Sequence, residues 1–201
     1  LCDWNLMSLT DIHRYDSALL QHSEEVLKYS KLSAPNKATA LTDINICFTH
    51  KKRVAINEQL MNARKSANAI RWKVLSSGSD KNVAQDTWIY NGLPVVCVLT
   101  HGNKKNNTQI TNQSTAVVHS YTADELELNT GVRVLKTQFF KNWRVNYCNT
   151  IHSSQCSTIS ESFTIHEGTN LTREMLYTAI TRGTKWADVL FSGDFDQITC
   201  R

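Results

Sequence analysis

The segment INICFTHKKRVAINEQLMNARK, residues 44–65, constrains the fold more than any other part of the chain. INICFT is a short, nearly continuous apolar run, the texture of a strand buried on both faces in a parallel sheet. The residues that follow set Val54, Ile56, Leu60 and Met61 among basic positions, as in an amphipathic helix. A strand that runs straight into a helix needs a parallel neighbour and a crossover. The same texture surrounds this unit. Residues 11–32 predict a helix capped by Asp11 or Asp16, and VNYCNT, SFTIH and DVLFSG predict strands. A polar loop and short helix follow VNYCNT, and a longer helix covers NLTREMLYTAITR.

Between the two β/α stretches the pattern changes. SSGSDKNVAQD (76–86) is polar, and beyond it LPVVCVLT, STAVVHSYT, DELELN and VRVLKTQFF read as short strands separated by Gly, Asn and Lys clusters. The expected organisation is therefore an α/β domain, 1–82 and 141–201, interrupted by a β-rich subdomain at 83–140.

Composition limits the function classes. With 201 residues and 41% apolar content the chain has enough for one substantial core, or for one domain with a smaller insertion, and two prolines and seven glycines argue against collagen-like character. No apolar run approaches the ~20 residues of a membrane span, and the opening LCDWNLMSLT lacks the basic flank of a signal peptide. The six cysteines have no CxxC spacing and several sit in strand-like runs, so buried free thiols and a reducing, intracellular compartment are expected. The net charge of +4 is clustered as HKKR (50–53), RK (64–65), RWK (71–73) and KK (104–105), which suits a polyanion, although any one cluster also reads as a solvated face.

Two polar stretches carry the candidate chemistry. TIHSSQC (150–156) lies just beyond a predicted strand, where parallel α/β sheets bind ligands against helix N-termini. Its hydroxyls, amides and His152 are potential phosphate partners; the plainer reading is a helix start capped by Thr150 or Ser153. LYTAITRGTK (176–185) places Arg182 at the end of a helix whose Leu176, Ala179 and Ile180 face the core. A guanidinium held there can stabilise charge on a transferring phosphoryl group, or it can simply complement the helix C-terminus ahead of Gly183.

Taken together, YCNTIHSSQCST followed by LYTAITRG resembles motifs V and VI of superfamily 1 DNA helicases, in the branch with the RecD and Pif-type enzymes, where the patterns are T-x-H-K-x-Q-G and Y-x-A-x-[ST]-R. LTDIHRYD resembles the arginine-bearing segment that opens the second RecA-like domain of that family. NICFTHKKRVAINEQL is similar to its strand, nucleic-acid-facing loop and helix, and GLPVVCVLTHGN, TNQSTAVVHSY and DELELN resemble its inserted SH3-like subdomain. The style of FTIHEGTNLTREMLYTAITRG is similar to helicases of large DNA viruses.

The resemblance implies a RecA-like (P-loop NTPase-type) parallel sheet flanked by helices, with an inserted small β-barrel-like subdomain. It implies the C-terminal motor domain of an ATP-dependent helicase that translocates on single-stranded DNA and unwinds duplex, serving replication, recombination or repair. By the same resemblance Arg182 and Arg14 contact the γ-phosphate, and Gln155 and Cys156 lie near the nucleotide. Thr49, His50, Lys51, Thr150 and His152 face the DNA strand, with Trp88 and Tyr121 as stacking candidates, although core packing is the plainer reading of each. Two positions depart from the family: its motif V lysine is Ser153 here, and its glycine is Cys156. These favour an alternative, a non-catalytic nucleic-acid-binding module with a degenerate helicase fold. No G-x-x-x-x-G-K-[ST] occurs, so ATP and Mg2+ are expected to be bound mainly by an N-terminal RecA-like domain that also partners this one.

Overall fold

The computed structural model describes residues 15–29, 32–33, 35–74, 84–100, 110–155, 157–193 and 195. They belong to two compact units, one from residues 1–39 with 156–201 and one from 40–155.

In the 40–155 unit, β1 (Ile44–Cys47) lies parallel to β9 (Cys148–Thr150), with Asn45 opposite Cys148 and Cys47 opposite Thr150. Helix α2 (His50–Arg64) packs along both strands through Ile56, Leu60 and Met61. This is the strand-helix unit that the apolar run and the amphipathic pattern predict. Strands β2 (Ile70–Trp72) and β3 (Thr87–Ile89) form an antiparallel pair that the sequence reading did not include.

A second, antiparallel sheet is built from β4 (Pro94–Cys97), β5 (Thr115–Tyr121), β6 (Glu125–Leu128), β7 (Arg133–Leu135) and β8 (Trp143–Val145). Its order is β7-β6-β5-β4-β8, and among the described residues it does not close into a barrel. Leu126, Leu128, Val134, Val95 and Val145 point into a core shared with Trp72 and Phe139, whose rings meet edge-on at 5.7 Å.

Two segments differ from the sequence expectation. VRVLKTQFF reads as one strand, but the strand stops at Leu135 and α3 (Lys136–Asn142) follows. In a strand the adjacent Phe139 and Phe140 would face opposite sides. On the helix both contact the core and each other, with ring centroids 5.6 Å apart. VNYCNT also reads as one strand, yet Val145 ends β8 in the antiparallel sheet and Cys148 begins β9 in the parallel pair. Through the change of sheet the Asn146 N–H still donates to the Pro94 carbonyl at 2.9 Å, and Asn57 of α2 serves the peptide groups on either side of it. Its Oδ1 accepts from the Cys148 N–H at 2.8 Å, and its amide reaches the carbonyls of Cys148 (3.3 Å) and Val145 (3.4 Å). The Tyr147 carbonyl accepts from the Asn45 N–H at 2.9 Å, and the Tyr147 hydroxyl meets that of Tyr90 at 2.9 Å in the core. Burial, then the Tyr147 bond, pushes the Tyr90 phenol above its ordinary pKa.

In the other unit, β10 (Phe163–His166) and β11 (Val189–Ser192) are parallel, with Phe163 opposite Val189. Helices α1 (Ser17–Tyr29) and α4 (Arg173–Ile180) pack against each other. Asp16 caps α1 by accepting from the Leu19 N–H at 2.7 Å; Asp11 lies outside the described residues. The expected α/β class, parallel strands flanked by helices, is what the chain adopts. No described helix is long and apolar enough to cross a membrane. Cys47, Cys97 and Cys148 are buried free thiols, as their strand positions imply.

Gly183 serves packing. A Cβ there would sit 3.1 Å from both Phe163 Cε1 and Val189 Cγ2, and 3.3 Å from Leu19 Cδ1. Gly183→Ala is expected to cost about 1–3 kcal/mol by overpacking, read as a fall in the thermal midpoint; an unchanged midpoint would show that α1 yields without cost.

Candidate functional site

The carboxyl ends of β1 and β9 coincide, because Cys47 and Thr150 are in register. The chain leaving β1 passes through Thr49, the N-cap of α2 (φ −92, ψ 146), whose hydroxyl accepts from the Lys52 N–H at 3.1 Å. Three exposed cations or potential cations follow in the first turn: His50, Lys51 and Lys52. Arg53 comes next and is buried, at 4% exposure. Helix starts favour carboxylates, but this one has none. Partial desolvation of its largely exposed ring, and then the charges of Arg53, Arg144 and His152, hold the His50 imidazole below its ordinary pKa.

The chain leaving β9 forms a tight turn over 151–155. Thr150 is buried and caps it, its Oγ1 accepting from the Ser153 N–H at 3.3 Å. Ser153 Oγ turns back to the Thr150 carbonyl at 2.9 Å, and Ser154 Oγ to that of Ile151 at 2.8 Å. The plainer reading of this stretch, a helix start capped by Thr150 or Ser153, holds for the Thr150 cap, but what it caps is a turn and not a helix. His152 and Gln155 remain exposed. Thr49, His50, Lys51, Thr150 and His152 are thus gathered at one end of the β1–β9 pair, with Gln155 at the end of the adjoining turn. Cys156 lies outside the described residues.

Arg182 belongs to the other unit. Helix α4 starts at its N-cap Thr172, ends at Ile180 and is capped by Thr181. The half-buried guanidinium of Arg182 folds back over that end: Nε donates to the Thr178 carbonyl at 2.9 Å, Nη1 to the Ser157 carbonyl at 3.3 Å and Nη2 to Thr181 Oγ1 at 3.3 Å. The helix-terminal reading describes these contacts, and they also fix the direction of the guanidinium. Arg14, its expected companion, lies outside the described residues.

The stacking candidates, Trp88 and Tyr121, are both half-buried. Trp88 has Lys65 Nζ 3.9 Å from its ring centroid, and the Tyr121 hydroxyl donates to the Asn68 carbonyl at 3.0 Å. Arg144 was not singled out from sequence. Its Nη1 donates to the carbonyls of Phe140 (3.3 Å) and Trp143 (3.1 Å), and its charge reaches His50. A lone cation inside the strand-like run WRV was the available signal.

No family model and no curated protein matches the sequence. Solved structures do. A structure of two coordinating Pif1 helicases at forked duplex DNA superposes with a TM-score of 0.69 at 14% identity, over 95% of this chain and 51% of that one. The chain shares its fold with Pif1 helicases. Pif1 from Bacteroides in complex with ADP-AlF3 and ssDNA gives a TM-score of 0.64 at 15% identity, over 97% of this chain and 54% of that one. Pif1 from Candida albicans gives 0.61 at 13% identity, over 95% and 57%. The chain spans about half the length of the Pif1 structures it matches.

Proposed function

We propose that this chain is the C-terminal motor domain of an ATP-dependent DNA helicase that translocates on single-stranded DNA and unwinds duplex. The observation that carries the reading is the gathering of Thr49, His50, Lys51, Thr150 and His152 at the carboxyl end of a parallel strand pair, in a fold shared with Pif1 helicases. In this reading Lys51 and the α2 amides hold a phosphate of the strand, while Thr150 and His152 line the same edge. Residues 83–140 form the inserted, SH3-like part of a RecA-like domain.

Arg182 supplies positive charge to the γ-phosphate. A partly exposed guanidinium of fixed direction fits that task, and Arg14 and Gln155 act beside it. Nucleotide bound mainly by an N-terminal RecA-like partner domain supplies the driving free energy. Among the described residues no group of three or more His, Cys, Asp or Glu side chains is placed to hold a metal ion; magnesium belongs to the partner domain in this reading. The helicase reading retains the large-DNA-virus likeness and a reducing, intracellular setting as proposals.

A second reading has one observation in its favour. Ser153 stands where the helicase pattern has lysine, and its hydroxyl bonds its own turn. A nucleic-acid-binding module without catalysis would tolerate that.

Both readings require the phosphate grip. Lys51→Gln is expected to weaken single-strand binding about three- to tenfold and to lower the salt slope by about one. Fluorescence anisotropy at several salt concentrations measures both quantities, and an unchanged affinity and slope would remove this edge from the interface.

A further inference from the structure

Two buried thiols lie directly behind the candidate edge and have no role in it so far. Cys47 ends β1 two residues before Thr49, and Cys148 opens β9 two residues before Thr150. Side chains alternate along a strand, and Cys47 is opposite Thr150, so Cys47 and Cys148 share one face of the pair. Neither has any exposed surface. Their sulfurs are in contact: the Cys148 thiol donates to Cys47 Sγ at 3.5 Å. The Cys47 thiol in turn meets the carbonyls of Thr49 at 3.4 Å and Asn149 at 3.6 Å. A short relay thus runs from Cys148 through Cys47 to the backbone of the residue that caps α2.

A single buried thiol packs as a small hydrophobe and stays inert. Two in contact differ, because a sulfenic acid formed on either one condenses with the thiol beside it.

We propose that Cys47 and Cys148 form a peroxide-responsive dithiol, and that its closure to a disulfide weakens the phosphate grip of the edge at Thr49 to Lys51. The weakened grip rests on the nucleic-acid reading above; the bond itself does not. One thiol, as its thiolate, attacks hydrogen peroxide, takes one oxygen as a sulfenic acid and releases water. The other attacks that sulfur, the S–S bond forms and a second water leaves. Two thiols have then given two electrons and two protons to one peroxide. The oxidant is little larger than water and reaches the pair through local opening at the ends of two short strands.

Closure has a mechanical direction. The sulfurs must come from 3.5 Å to about 2 Å. Cys148 is opposite Asn45 and not Cys47, so the bond is diagonal and draws the end of β1 back along β9. It also removes the S–H that meets the Thr49 carbonyl. Both changes act on the cap of α2, from which His50 and Lys51 follow.

The chain is treated with hydrogen peroxide, digested with trypsin without reductant, and mapped by mass spectrometry. Peptide 38–51 carries Cys47, and peptide 145–173 carries Cys148 together with Cys156. The two should be linked, and the link should persist in Cys156→Ala and vanish in Cys148→Ala. Anisotropy of a fluorescein-labelled oligothymidylate should show affinity falling about three- to tenfold on oxidation, as for loss of about one phosphate contact. Dithiothreitol should restore it, which methionine sulfoxide would not allow. Cys47→Ala and Cys148→Ala should bind as the reduced chain does and ignore peroxide. If either loses its near-ultraviolet circular dichroism, Cys47→Ser or Cys148→Ser carries the comparison instead.

Over-oxidised thiols with no linked peptide, or a link that survives in Cys148→Ala, overturn the dithiol. A link without any change of affinity overturns its control of the edge and leaves the nucleic-acid reading to Lys51→Gln. A reduced chain that does not bind the oligonucleotide overturns that reading and the weakened grip with it, and the linked peptide then decides the dithiol by itself.

Discussion

Replacing Arg182 by alanine, in a protein that carries both RecA-like domains, is expected to lower ATP turnover by about 10³-fold or more, the usual worth of an arginine finger. Single-strand affinity should change by less than about threefold, because the proposed phosphate contacts lie in the 40–155 unit. Arg182→Lys should fail nearly as badly, since an ammonium lacks the planar set of donors that the Thr178 carbonyl, the Ser157 carbonyl and Thr181 Oγ1 orient. The same contacts supply the control. Losing a cation at the end of α4 costs only about 0.3–1 kcal/mol, so a large fall in turnover with a small fall in thermal midpoint marks a role beyond the helix end. Steady-state turnover of unmodified protein, Arg182→Ala and Arg182→Lys decides it. Normal turnover in the alanine variant would reduce Arg182 to a helix terminator. Absence of turnover in the unmodified protein would favour the non-catalytic reading.

The second large effect concerns Asn57. Asn57→Ala should destabilise the 40–155 unit by about 3 kcal/mol, a fall of about 10 °C in thermal midpoint. The variant leaves the Cys148 N–H and the carbonyls of Val145 and Cys148 buried without the amide that serves them and adds a cavity. Asn57→Leu separates the two terms. It refills the volume without restoring the hydrogen bonds, so it should remain about as unstable as the alanine variant. Recovery in the leucine variant would assign the loss to packing and end the account of Asn57 as a backbone partner.

The parts of the fold that were legible are those decided within a few residues. INICFT followed by a basic amphipathic stretch contains its own strand and helix, and the structure follows both, with the strand ending at Cys47 and Thr49 serving as the helix cap. FTIH is buried at all four positions and DVLFSG supplies the neighbouring strand, as expected of apolar runs in parallel pairs. What stayed hidden depends on partners far along the chain. Nothing local in RVNYCNT says that Val145 pairs with Val95 while Cys148 faces Asn45. That division is set by Asn57 and Asn45, each about 90 to 100 residues away in sequence. The β2–β3 pair joins residues on either side of the polar stretch that looked like a break.

The candidate site divides in the same way. The stretch 150–156 could be named because it follows an apolar run directly, whereas Thr49, His50 and Lys51 were named through the family resemblance. The contacts that fix Arg182 could not, because one of them, the Ser157 carbonyl, lies 25 residues away in sequence.

The segment that changes sheets between Val145 and Cys148 also acts as a fixed measure of length. Both of its ends are locked by pairing, and its middle is held by side chains from α2 and β1. One added residue there would turn either Val145 or Cys148 toward the opposite face of its strand. Insertions elsewhere in a loop can be absorbed by slack, but this stretch has none, so the end of β9 at Thr150 keeps a set offset from the antiparallel sheet to which β8 belongs.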